Sequence, residues 1–426
     1  MQFETFSLPH IQGGTHTDQK AKMFLLTLSV DLHRSYTATD DALEYVYSDA
    51  LLAGAGTLSR EEFLDALNKT GGSISVKIFH SILTISICAQ IGHVATIHKL
   101  LKALMAEPSF TAPELTRIKK NVHNDLELQK ENARGQAHRT LENALFGKGD
   151  RRQSASVTLL QTNVAKITKQ QLIALHERAL SEPWTVTQSG TKASIASTIQ
   201  LLVALKGKRK PDTATPAHAP KVLEKRLIVT ESIPSKHNVE FSIGGPLPLT
   251  LHHPDYLPFV FGLAVLGKWG GFAGRLMSTV REKQGLTYSI YARTESVYGS
   301  ESGYWRIMTF FAPDKAMTGV NSTLREISSI AKKGVTDGEM KRFRNILNTQ
   351  QLLLNDSLLS SLNDLHGYLS EGFTLDQIAE YKARLLNVTK AEVNAALKKY
   401  LDPGALIISA AGPVVGIKKE LESLAG

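Results

Sequence analysis

Within the stretch GGFAGRLMSTVREKQGLTYSIYA (Gly270–Ala292), two side chains carry hydrogen-bond donors suited to an oxygen atom: Arg281 and Tyr288, seven residues apart. A guanidinium offers a planar fork of N–H groups and a phenol offers one O–H. Donors of these two kinds can bond acceptor oxygens. Read from the residues alone, Arg281 also serves as a cation offsetting a helix dipole, and Tyr288 as an ordinary strand aromatic. Both readings need the same scaffold. A helix must end near Arg281, turn at Gly285 and enter a strand, which brings both side chains to one rim of a sheet.

The other chemistry-bearing residues form weaker patterns. His93 and His98 are five apart and point to different faces of a helix. His252 and His253 stand in a loop, where solvated histidines are the ordinary finding. His123 and Glu127 share a helical face but have no third ligand nearby in sequence. Gly-x-Ser-x-Gly does not occur, and GKWGGFAG lacks the Gly-Lys-Ser/Thr ending of a phosphate loop. Cys88 is the single cysteine, so no intrachain disulfide forms.

A chain of 426 residues, 42% hydrophobic and 21% charged, is long enough for more than one core and shows no sign of wholesale disorder. Its net charge is +9, yet the densest basic segment, Lys206–Arg226, is rich in Pro, Ala and Thr and reads as a connector. No nucleic-acid partner is expected. No apolar run reaches the length of a membrane span, and the first residues lack the pattern of a signal peptide. The expectation is a cytoplasmic protein, or a periplasmic one if a signal has been removed.

Three pairs of segments repeat in order. Leu52–Ile78 resembles Leu266–Ala292, Phe110–Val122 resembles Val335–Leu347, and Ile167–Gly190 resembles Val388–Gly412, with offsets of 214, 225 and 221 residues. Near-equal offsets in one order argue for duplication. The alternation in MFLLTLSVD, SISVKIF, SILTISICAQ and WTVTQSG predicts strands in the first half; HNVEFSIGG, TYSIYARTE, GYWRIMTFFA and ALIISAAG predict them in the second. The expected fold class is therefore α+β: two homologous domains, each a mostly antiparallel sheet with helices packed on one face. The domains run over residues 1–205 and 227–426, with the basic connector at 206–226.

LGKWGGFAGRLMSTVREKQGLTYSIYA, supported by GVTDGEMKRFRNIL and the duplicated plan, resembles the C-terminal domain of the M16 metallopeptidases, the pitrilysin and mitochondrial processing peptidase group. The resemblance implies an M16/LuxS-like metallohydrolase fold. It also implies that Arg281 and Tyr288 are substrate-binding residues facing a zinc site. An active M16 chain carries His-x-x-Glu-His on a helix of its first domain, where two histidines hold zinc and the glutamate activates water. The corresponding stretch here, Asp40–Thr57, has no histidine, and Tyr45, Val46, Tyr47, Ser48 and Asp49 stand at the expected place. In the first-half copy of the corner, Leu67 and Ile74 replace Arg281 and Tyr288. The resemblance thus implies a non-catalytic chain that binds no metal and is inactive alone. It would pair as a heterodimer with a zinc-bearing M16 subunit and supply its donor pair to peptide substrate there. The alternatives are a structural scaffold or a peptide-binding homologue with no peptidase role.

Overall fold

The computed structural model describes residues 1–32, 36–206, 219–267 and 272–425. These form two compact units, one from residues 1–126, 155–215 and 351–378 and the other from 127–154, 216–350 and 379–426. The strands of the first unit are β1 (Glu4–Leu8), β2 (Ile11–Thr17), β3 (Met23–Asp31), the short pair β4 (Gly54–Ala55) and β5 (Leu58–Ser59), then β6 (Ser73–Phe79), β7 (Ile82–Gln90) and β8 (Trp184–Gly190). Apart from the short pair, they make one sheet in the order β1-β2-β8-β3-β7-β6. The second unit contributes β9 (Leu227–Ser232), β10 (Val239–Leu247), β11 (Ile290–Glu295), β12 (Gly303–Phe311) and β13 (Ile407–Gly412), ordered β11-β12-β10-β13-β9.

The two orders are the same plan. β6-β7-β3-β8-β2 matches β11-β12-β10-β13-β9, and in each the only parallel pair is the last, β8 with β2 and β13 with β9. The corner glycines agree as well: Gly71 has φ +61° and Gly285 has φ +60°, a left-handed turn that favours glycine. Strands predicted from alternation form where expected, to within a few residues. β1, β2 and β9 are additions; the glycines of β2 interrupt its apolar period, which hid it.

Alternate residues of each strand decide the faces. Phe24, Leu26, Leu28 and Val30 of β3 are buried in an apolar core that also takes Val46 and Tyr47 from the helix Ala38–Ala50 and Leu100 and Leu104 from Val94–Ala106. In the second unit, Val239, Phe241 and Ile243 of β10 join the helix Tyr256–Gly267, which is apolar on every side and buried accordingly.

Each sheet carries a helix on its other face as well. Helix Leu358–Ser370 covers the far face in the first unit, where His366 bonds through Nδ1 to Thr187 Oγ1 at 3.1 Å and through Nε2 to Ser29 Oγ at 2.9 Å. Helix Ala133–Leu145 does the same in the second unit, with Thr140 Oγ1 2.5 Å from Ser409 Oγ and Arg134 donating to Glu240 at 3.0 Å. The two helices are the same length and 225 residues apart, the offset already found for the preceding segment. Each half of the sequence therefore gives one helix to the other's sheet, and the packed units do not follow the boundaries at 205 and 227. Of the connector 206–226, residues 207–218 lie outside the described residues.

Beneath helix Ala133–Leu145, Tyr304 donates its hydroxyl to Glu142 Oε1 at 2.8 Å, and His138 Nε2 lies 2.6 Å from the same hydroxyl. A phenol has one proton to give, so the neutral imidazole donates to the tyrosine oxygen. Burial raises the Glu142 carboxyl from 4.5 to about 7, Glu295 adds to this, and the tyrosine bond with Arg306 and Arg152 opposes it. Burial, with Arg306 and Arg293, lowers His138 from 6.5 to about 3. The signs are opposite. The stabilisation tied to a protonated Glu142 is complete below 4.5 and lost as pH rises through about 7, whereas that tied to neutral His138 is present above 6.5 and lost toward about 3. Glu142→Gln removes the first dependence. Its melting temperature relative to wild type should rise between about pH 5 and about pH 8. Parallel melting curves across that range would assign the pH dependence elsewhere.

Candidate functional site

The corner that carries Arg281 is wider than the amphipathic α-helix expected for it. Residues Met277–Lys283 form a π-helical turn, in which Gln284 N–H donates to Thr279 O at 3.2 Å, five residues back. Single π turns of this kind are rare and recur at functional sites. Leu276, Met277 and Val280 are fully buried and seat the turn on the core, while Arg281 projects outward beside them. The Arg281 carbonyl accepts from Gly285 N–H at 2.9 Å, and the left-handed glycine then sends the chain toward β11.

Tyr288 is placed by its neighbours. Buried Thr287 donates its hydroxyl to Ser289 O at 3.1 Å and accepts from Thr309 on β12 at 3.3 Å, so the backbone around Tyr288 is tied to the sheet while its ring stays 70% exposed. The structure brings the two donors together: Arg281 Cζ lies 4.7 Å from the Tyr288 ring centroid. It also adds a residue that sequence reasoning missed. Phe272, 66% exposed, has its ring centroid 4.6 Å from the same Cζ. Contact with aromatic faces uses the charge of the cation and leaves its N–H donors unspent. Among the described residues, no hydrogen bond or ion pair engages the Arg281 guanidinium. By contrast, nearby Arg275 is engaged, bonding Glu339 through two nitrogens at 2.7 and 2.8 Å and Gly334 O at 2.8 Å. Of the glycine-rich segment GKWGGFAG, residues 268–271 lie outside the described residues.

In the first-half corner, Leu67 and Ile74 are buried against the core and offer no donor. The helix Ala38–Ala50 starts at a capping box between Thr37 and Asp40. On it, Val46 and Tyr47 are fully buried; Tyr47 donates to His176 Nδ1 at 2.8 Å, and His176 Nε2 donates to Met105 O at 2.8 Å. Burial raises the Tyr47 phenol far out of the titratable range, so this pair is spent on packing. Ser48 donates to Glu44 O at 3.0 Å. Burial raises the Asp49 carboxyl, helped by Asp125 and opposed by Arg117. Elsewhere, His98 bonds Thr198 at 2.8 Å, and His253 Nδ1 accepts from Asp255 N–H at 3.1 Å, turning the chain ahead of the next helix. Among the described residues, no three His, Cys, Asp or Glu side chains gather as a metal-binding group, and no helix is long and apolar enough to cross a membrane.

Residues 166–347 match the family described as Peptidase M16 inactive domain. The crystal structure of a peptidase M16 inactive domain from Pseudomonas fluorescens superposes with a TM-score of 0.85 over 97% of this chain and 99% of that one, at 20% identity. Over nearly its whole length the chain has the fold of that peptidase M16 inactive domain. Among curated relatives, the Helicobacter pylori protein named non-peptidase homolog YmxG is 28% identical over 140 residues, 32% of this chain and 31% of that protein. The Mycobacterium bovis protein named uncharacterized zinc protease Mb2805c is 27% identical over 161 residues, 37% and 36% of the two chains. Alignment thus spans about a third of the length of the curated relatives. M16 likeness accordingly reaches proteins named for proteolysis and one named for its lack.

Proposed function

We propose that this chain is the non-catalytic, substrate-binding subunit of a heterodimeric M16 zinc peptidase. Its partner supplies the zinc and the activated water. This chain supplies Arg281 and Tyr288 to hold the peptide and steady the oxyanion. One observation carries the reading: the half-buried Arg281 fork is flanked by two exposed rings and spends none of its donors within the described chain. Large exposed aromatics have no packing role of their own, and an unpaired fork beside them fits an acceptor brought in by a ligand. The tyrosine hydroxyl stands ready beside it. The zinc-motif helix supports the other half of the proposal, because Tyr47 is committed to a buried hydrogen bond and no histidine lies on that helix.

A mixing experiment tests it. The purified chain alone should hold no stoichiometric zinc by elemental analysis and cleave no peptide. Mixed with an M16 chain bearing His-x-x-Glu-His, it should elute as a 1:1 complex whose chelator-sensitive peptidase activity neither chain shows alone. Full activity of the zinc-bearing chain by itself would replace this reading with a scaffold role. So would one zinc per chain here, with phenanthroline-sensitive cleavage, replace it with an autonomous enzyme.

A further inference from the structure

Phe272 is a costly residue to leave on a surface. Its ring is 66% exposed, and among the described residues its recorded ring contact is with the Arg281 guanidinium. Its placement is nonetheless specified. Two residues on, Gly274 has φ +123°, and a Cβ there would stand 2.9 Å from Gly267 Cα, so only glycine lets the chain pass this close to the end of the helix Tyr256–Gly267. On the other side of the residue pair, the π turn and the Thr287 hydroxyl fix Arg281 and Tyr288. Two separately anchored segments thus converge on a cation held by a third.

An exposed arginine on its own samples many rotamers, and binding through it loses that freedom. A ring on which the guanidinium rests reduces the loss. It does so without consuming a donor, as a carboxylate partner would. We propose that Phe272 is a positioning residue: with Tyr288 it holds the Arg281 guanidinium in place so that its free N–H edge meets the backbone carbonyl of an extended peptide. This deepens the substrate-binding reading and rests on it. A backbone carbonyl is the favoured acceptor because the neighbouring phenol is a neutral donor, and the two donors side by side suit an uncharged amide oxygen.

The full chain is titrated calorimetrically with a ten-residue Ser/Val peptide, blocked as N-acetyl and C-amide, and with the same peptide bearing a free carboxylate. Phe272→Ala should weaken the blocked peptide about two- to fivefold, the size of one exposed cation–π contact. Phe272→Tyr should restore binding, and Phe272→Ala should change nothing further in an Arg281→Ala background. An equal loss in that background would mean that the ring touches peptide directly and would overturn the proposal, as would binding confined to the free carboxylate. A second readout does not depend on any ligand. Rotation of the Arg281 guanidinium, followed by NMR of its Nε–H group, should be slowed in wild type and Phe272→Tyr and freed in Phe272→Ala. If wild type binds neither peptide, the substrate-binding reading fails. Unchanged guanidinium rotation in Phe272→Ala, with peptide binding intact, would instead overturn only the role of Phe272.

Discussion

Severed within residues 207–218, neither piece should fold alone, whereas the two pieces produced together should reassemble. The C-terminal piece lacks the helix Ala133–Leu145, and with it Leu141, Leu145 and Phe146, which pack in one buried cluster with Tyr304 and Ile407. It also lacks Arg152, fully buried, which bonds Asp150 at 2.9 and 2.7 Å, donates to Ser302 O at 2.6 Å and lies 3.8 Å over the Phe146 ring. Truncating one such apolar residue costs about 2–5 kcal/mol. Losing three together, roughly 6–15 kcal/mol, equals the whole stability of an ordinary domain. The N-terminal piece lacks Leu358–Ser370 and so leaves Thr187 and Ser29 without the His366 ring. Circular dichroism melts of each piece and of the pair decide the matter. A separate piece of residues 213–426 that melts as cooperatively as the intact chain would show that the exchanged helix is dispensable.

The second large effect concerns the donors themselves. Arg281→Ala and Tyr288→Phe should each leave the melting temperature and the subunit association nearly unchanged, because Tyr288 is 70% exposed and the Arg281 guanidinium makes no hydrogen bond or ion pair within the described chain. Each should lower kcat/KM of the complex by roughly ten- to a thousandfold, about 1.4 to 4 kcal/mol, if the lost donor serves the transition state. Arg281→Lys should recover only part, since an ammonium cannot present two parallel donors to one oxygen-bearing plane. Wild-type turnover in both the alanine and phenylalanine variants of an intact complex would remove the donor pair from the reaction.

Much of this was legible in the residues. Alternation located β3, β6, β7, β8, β10, β11, β12 and β13, and the glycine corners announced the repeat, because both signals are local. The helix exchange was not. The apolar stripe of Ala133–Leu145 says which side is buried but is silent about which sheet buries it, since a stripe carries no address. The pairing of Arg281 with Tyr288 was implied by the resemblance of the corner to M16 chains, whereas Phe272 stands in a loop with no period, and only coordinates bring its ring to the guanidinium. The π turn was equally hidden, because one inserted residue leaves the helical pattern of MSTVREK almost intact.

The place of β13 in its sheet sets a timetable for synthesis. Ile407–Gly412 comes after every other described strand in the chain, yet it lies between β10 and β9 rather than at an edge. Thr140, which bonds Ser409 on that strand, is translated 269 residues earlier. At about 5–20 residues per second, the helix Ala133–Leu145 emerges roughly 15 to 50 seconds before the surface it is meant to cover exists. The second unit therefore cannot mature in step with translation. A ribosome stalled after residue 400 should display it protease-sensitive, and emergence of β13 should close it at once.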